Sequence, residues 1–288
     1  MNNAQGKFRR ALAVIGMLAT SLLSAQQSDW RTPFPGHRVI ANLYAVGTEG
    51  LGVFLITSDA GHILVNTGMD DSTPLIRENI EAVGYRLEDV RILLTTQSHF
   101  DHTAALAEIK ELTGAQMWAT EKDARVLEDG GVSDPHFGGS VSFEPIDVDR
   151  ILADGEVIEL GDIRLQVHLH PGHTEGSSSY SMQVSEGGRD YNVLVANMGT
   201  INDGKRMFVD ATYPGVGEDF AETYRRQKAM DVDVWVAAHG GQYGLLDKYT
   251  PGQAYSPNTF LDPEGFYAEV ERLERIYLDL VAAERAAR

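Results

Sequence analysis

Residues 90–114 read VRILLTTQSHFDHTAALAEIKELTG, and the fold turns on how this stretch divides. Residues 90–96 are apolar and β-branched enough to form a buried strand, whereas residues 103–112 carry apolar side chains at helical spacing and stop at Gly114. Between strand and helix stand Gln97, His99, Asp101 and His102, which put an amide oxygen, two imidazoles and a carboxylate within six residues. At a strand-to-helix corner such side chains can converge on one point. Imidazole nitrogen and carboxylate oxygen suit zinc, and a catalytic zinc site keeps one coordination position open for water.

So short a cluster cannot close shells around two metals, so partners must come from elsewhere in the chain. His173 lies in HPGHTEGSSSY after the strand-like residues 163–170, and His239 lies in VWVAAHGGQ after the strand-like residues 232–238. Both follow strand ends, where functional loops are usually built, and the glycines beside them allow close backbone approach.

These segments together resemble the metallo-β-lactamase superfamily, a set of αββα hydrolases. The resemblance rests on an HxHxDH-like corner, PGHTEGS and a late strand ending in His, and it covers nearly the whole chain after the leader. His102 directly after Asp101, the absence of cysteine, GHTEGSSSY and AAHGGQYGLLDKY are most similar to the third subclass of class B β-lactamases. Where that pattern begins with His, this chain has Gln97, as in a minority branch of the subclass.

The resemblance implies an α/β four-layer αββα sandwich and zinc-dependent opening of the β-lactam ring of penicillins, cephalosporins or carbapenems. It implies zinc ligation by Gln97, His99 and His173 at one site and by Asp101, His102 and His239 at a second; alternatively, only the second is filled. An amide oxygen is a poorer zinc ligand than imidazole, so the first site should be the weaker. Asp101 is the expected catalytic group, orienting the attacking water, and Ser177 to Ser179 need only be structural. Thr200 and Asn202 are the candidates to meet a substrate carboxylate, in the region where the family carries small hydroxyl residues; Met198 there cannot donate a hydrogen bond. Two alternatives remain: a lactonase or thioester hydrolase of the same fold, or a non-catalytic zinc-binding protein that lost its chemistry with the His-to-Gln change. Thioester hydrolases of the glyoxalase type usually carry a bridging aspartate near the positions of Asn197 and Met198.

Composition bounds these expectations. The 288 residues are 43% hydrophobic, enough for a substantial core. Residues 1–25 read as a secretory signal peptide, with Lys7, Arg9 and Arg10 ahead of an apolar run too short to span a membrane comfortably, so residues 26–288 form the expected single domain. Export to a bacterial periplasm with no stable membrane anchor is the expectation. The leader holds three of the 24 basic residues and none of the 42 acidic ones, so its removal takes the formal charge from −18 to −21. That surface excludes nucleic acid as a partner and points to a small-molecule substrate, held locally by metal charge. The oligomeric state stays open.

The other elements follow from periodicity and turn residues. Strands are expected at residues 39–46, 52–57, 62–66, 116–120, 157–160, 163–170, 178–184, 191–196 and 232–238, and helices at 73–84, 121–128, 218–230 and 265–286. Ser72 or Thr73 should cap the first of these helices, and Asn66, in NTG, should serve a structural turn. The glycine-rich residues 130–140 read either as a cover for substrate or as a solvated connector. His37, His62 and His136 lack ligand neighbours and are expected in surface or structural roles. His168 and His170 share a strand face and are expected to pack half-buried, while Lys205 and Arg206 are expected in a solvated turn.

Overall fold

The structure is a computed structural model that describes residues 29–287; the leader expected at residues 1–25 lies outside the described residues. Two sheets form. The first runs in the order β1 (His37–Ile40), β2 (Leu43–Ala45), β3 (Phe54–Ser58), β4 (Gly61–Val65), β5 (Val90–Leu94), β6 (Gln116–Thr120), β7 (Arg150–Leu152). The second runs β12 (Val234–Ala237), β11 (Arg189–Ala196), β10 (Ser178–Glu186), β9 (Ile163–Leu169), β8 (Val157–Leu160).

Strand periodicity builds the layers. Along β3, β4 and β5, Phe54, Ile56, Ile63, Val65, Ile92 and Leu94 join the core shared with the second sheet. The alternate residues Leu55, Leu64 and Leu93 face a separate core with Ile76, Ile80, Leu106, Ile109 and Leu127. Those last five come from α1 (Thr73–Ala82), α3 (Leu106–Thr113) and α4 (Glu121–Glu128). A strand apolar on both faces must be covered on both, which makes the first sheet an inner layer.

On the other side lie α5 (Val216–Lys228) and α7 (Pro263–Ala286), with the single turn α6 (Leu245–Lys248) between them in sequence. Phe266, Val270, Leu273, Tyr277 and Val281 recur every three or four residues on α7 and are buried. Burial of each such side chain contributes about 1.5–3 kcal/mol. Pro263 opens α7 and the Asp262 side chain accepts from Gly265 N at 3.0 Å, an N-cap that fixes its start. The α, β, β, α layering expected from the sequence is therefore present.

Several local expectations change. Residues 39–46 are not one strand: the chain turns at Ala41, with φ 46°, between β1 and β2. The helix expected at 103–112 breaks at Ala104 and Ala105, separating the single turn α2 (Phe100–Thr103) from α3. Gly114 ends α3 in the left-handed region as expected, with φ 67°. Ser72 occupies the N-cap position of α1 but makes no cap, because its Oγ accepts from Met69 N at 2.9 Å. Gly187 and Gly188, both at positive φ, close the β10–β11 hairpin. His37 and His62 are structural: His37 is buried and stacked on Tyr249 at 4.0 Å between ring centres, and His62 is buried against Tyr85.

Pairing direction decides where a site can form. β4, β5 and β6 are parallel, so their C-terminal ends share one end of the first sheet. β9 and β11 each pair antiparallel with β10, and β12 pairs parallel with β11, so β9, β11 and β12 also end together. Backbone bonds stitch these ends: Ser178 N donates to Thr96 O at 2.9 Å and Gly52 N to Ala238 O at 2.8 Å.

Candidate metal centre

The corner after β5 is held by Asn66, which sits at φ 66° at the end of β4. Its Oδ1 accepts from Thr96 N at 2.9 Å and from the Thr95 and Thr96 hydroxyls at 3.2 Å, while its Nδ2 donates to Gly52 O at 3.1 Å. Asn66 thus has the structural role its NTG turn suggests. His99 remains extended and starts α2, so His99, Asp101 and His102 leave one turn of backbone within four residues.

Two groups of donors meet there. In the first, His99 Nδ1 lies 3.1 Å from His173 Nε2. Gln97 belongs to the same corner; it is 2% exposed and its Oε1 has no hydrogen-bond partner. In the second, His102 Nε2 lies 3.2 Å from both His239 Nε2 and Asp101 Oδ2, and His239 Nε2 lies 3.5 Å from Asp101 Oδ2. These three donors are mutually within 4.8 Å and could hold a metal ion.

Thr200 fixes which nitrogen of His173 faces inward. The Thr200 carbonyl lies 2.8 Å and its hydroxyl 3.0 Å from His173 Nδ1, leaving Nε2 for the cluster. Burial, followed by the charges of His99 and Lys205, holds His173 well below the ordinary imidazole value. Burial, then His102, pushes His239 down to about 4. Burial pushes the Asp101 carboxyl up, yet attraction to His102, His239 and His99 outweighs it and holds the group below the usual carboxylate range. With His173 and His239 held neutral beside an ionised Asp101, the converging imidazoles and carboxylate form a donor set that fits a divalent cation of zinc's character.

All six expected ligand residues therefore gather at one end of the sandwich. Thr200 stands beside them, but its polar atoms serve His173. Asn202 is half-exposed, and its carbonyl accepts from Lys205 N at 3.1 Å. Met198 is 1% exposed and packs in the core, and Ser179 Oγ binds His170 Nδ1 and Asn197 N in the structural role expected. His170 is fully buried rather than half-buried, with its Nδ1 2.7 Å from Ser179 Oγ.

The glycine-rich loop contributes what single-residue reasoning missed. Asp134 is buried, accepts from His136 N at 2.8 Å and Phe137 N at 2.6 Å through Oδ1, and places Oδ2 3.3 Å from His99 Nε2. His136 is half-buried, its ring 6.4 Å from that of His99, rather than remote from the site. Residues 130–140 are thus anchored to a site histidine, which corrects the solvated-connector alternative. Lys205 is likewise not in a solvated turn: it is 4% exposed and donates to Gly172 O at 3.1 Å and His173 O at 2.7 Å. Burial lowers it to about 8. Arg206 is exposed and pairs with Asp210. Trp30, Phe100 and Phe137 are half-exposed and form a ring-to-ring chain at 6.1 Å steps, with Trp30 5.8 Å from His239 and Phe137 4.9 Å from His99. An aspartate two residues before a histidine in a glycine-rich loop was the available signal for Asp134; nothing local marks Lys205.

Residues 53–185 match the family described as the Metallo-beta-lactamase superfamily. Among solved structures, the chain is similar to the metallo-β-lactamase GOB-18 from Elizabethkingia meningoseptica, at 38% identity and TM-score 0.86, covering 88% of this chain and 95% of that one. It is similar to the class B3 di-zinc metallo-β-lactamase LRA-12 from an Alaskan soil metagenome, at 44% identity and TM-score 0.84, covering 87% and 96%. Among curated relatives, a hydroxyacylglutathione hydrolase from a Bradyrhizobium species is 28% identical over 127 residues, 44% of this chain and 41% of that enzyme's length. The aligned part thus spans less than half of that relative.

Proposed function

Since this chain belongs to the metallo-β-lactamase superfamily, we propose that it is an exported zinc β-lactamase that confers antibiotic resistance. Hydrolase chemistry is what the superfamily supports. The finer reading is carried by one conjunction: two converging donor groups within a chain that matches B3 β-lactamases over almost their full length.

In this proposal, Gln97, His99 and His173 are the ligands of site one, and Asp101, His102 and His239 those of site two. Zinc bound there supplies Lewis acidity and lowers the pKa of water to about 7. Asp101 orients the attacking water by accepting one of its protons in a hydrogen bond. The water gives up one proton to solvent as its oxygen adds to the lactam carbonyl carbon, the ring C–N bond breaks, and the departing nitrogen takes a proton back from solvent water. Trp30, Phe100 and Phe137 offer apolar surface to the substrate, Thr200 keeps the His173 tautomer, and Thr200 and Asn202 are the candidates to meet a substrate carboxylate. Residues 1–25 serve as the leader to the periplasm.

Thioester hydrolysis is the second reading, because the curated relatives include hydroxyacylglutathione hydrolases. Against it, β11 is followed by Asn197 and Met198 rather than by a carboxylate, and the Asn197 backbone is committed to Ser179 and Gln227. Side-by-side turnover of a penicillin, a carbapenem, a lactone and a glutathione thioester, with zinc and after chelation, separates the readings. Zinc-dependent β-lactam opening is expected; faster thioester turnover, or activity only after Gln97→His, overturns the proposal.

A further inference from the structure

One carboxylate that no step above uses touches both segments bearing the site-one histidines. Asp123, in the first turn of α4, is 3% exposed. Its Oδ1 accepts from Ser98 Oγ at 3.0 Å and from Gly176 N at 3.1 Å, and its Oδ2 from Thr174 Oγ1 at 3.1 Å. Ser98 lies between Gln97 and His99, and Thr174 directly follows His173. Both segments therefore hang on one side chain.

The fit is tight. A Cβ on Gly176 would lie 2.4 Å from Asp123 N and Thr120 Oγ1 and 2.7 Å from Asp123 Cγ. Thr120 Oγ1 also donates to Gly176 O at 2.7 Å, so the same loop is gripped at both backbone polar groups. A buried carboxylate is costly even when its oxygens are hydrogen-bonded, and all three donors here are neutral. An apolar side chain at this inward position of α4 would pack without that cost. What the carboxylate adds is a fixed spacing between two chain segments far apart in sequence.

We propose that Asp123 is the positioning residue of site one, setting the separation at which His99 Nδ1 and His173 Nε2 face each other across 3.1 Å. The proposal rests on the metal reading above. It matters most at this site, because Gln97 is a weak donor and the two imidazoles carry the affinity. The hydrogen-bond partners of Asp123 are Ser98, Thr174 and Gly176, none of them a site-two ligand, so site two is spared.

The test is zinc titration of the full metal-free chain against a chromophoric chelator. It compares the natural chain with Asp123→Ala and Asp123→Asn, each also in a Gln97→His background that strengthens the first site. Asp123→Ala should weaken one binding step about tenfold or more, the size of effect that outer-shell partners exert, and leave the other within about threefold. Asp123→Asn keeps an oxygen for Ser98 and Gly176 N and offers an amide to Thr174 Oγ1, so it should retain both steps. In the metal-free state, hydrogen exchange should show the Gly176 amide losing protection in Asp123→Ala alone. Should Asp123→Ala fail to fold, the paired change Ser98→Ala with Thr174→Val cuts both connections and carries the same expectation. Equal weakening of both steps, or no weakening of either, overturns the positioning role. If neither the natural chain nor Gln97→His takes up zinc, the metal reading itself falls and this role with it.

Discussion

Asp134→Asn changes one charge beside His99 and almost no volume. The carboxylate Oδ2 lies 3.3 Å from His99 Nε2, and both groups are buried, with 5% and 4% exposure. Full unit charges at that distance would interact by about 5 kcal/mol at an effective dielectric constant of roughly 20. The ring of a metal-bound histidine carries only part of the metal's charge, so the net loss should be smaller. Outer-shell carboxylates on ligand histidines are worth about 10- to 100-fold in metal affinity, or about 1.4–2.7 kcal/mol. The loop should keep its shape, because the asparagine oxygen can still accept from His136 N and Phe137 N. Competitive zinc titration should therefore show the site-one step weakened by that factor and site two nearly unchanged. A site-one constant within twofold of the natural protein's, with the loop amides equally protected from exchange, would refute a role for Asp134 in supporting His99.

Asp101→Asn removes the ionised member of site two and should lower kcat at least about a hundredfold in a β-lactam hydrolysis assay, together with site-two zinc affinity; unchanged turnover contradicts its assigned role. Burial pushes Asp123 up to about 7 despite its three donors. The unfolded chain releases that proton near the ordinary carboxylate value and the folded chain only near neutrality. The contribution is thus full below about pH 4 and lost as pH rises through 7. Urea unfolding of the metal-free protein should show that decline, and Asp123→Asn should remove it; parallel pH profiles count against the assignment. Gly176→Ala should destabilise by about 1–3 kcal/mol, since its Cβ meets atoms at 2.4 Å; an unchanged urea midpoint would show that the joint yields.

Much of this was written locally in the chain. Near-continuous apolar runs in residues 54–57, 62–65 and 90–94 specify strands buried on both faces, and the three-and-four spacing from Phe266 to Val281 specifies α7. The six ligand candidates can be named because they follow the ends of three strand-like runs and their types suit zinc. The breaks within residues 39–46 and 103–112 are not legible, because composition does not reveal a left-handed residue at Ala41 or a break after one helical turn.

By itself, the sequence determined the layers, the corner and the donor atoms on offer, since these depend on periodicity and side-chain chemistry. Tertiary structure alone decided which distant groups support them. Asp134 behind His99, Lys205 under the His173 loop and Asp123 between two segments are all buried polar groups with partners 25 to 53 positions away. No local rule pairs such residues. They are fixed only when the strand ends come together and every buried donor and acceptor must find a partner.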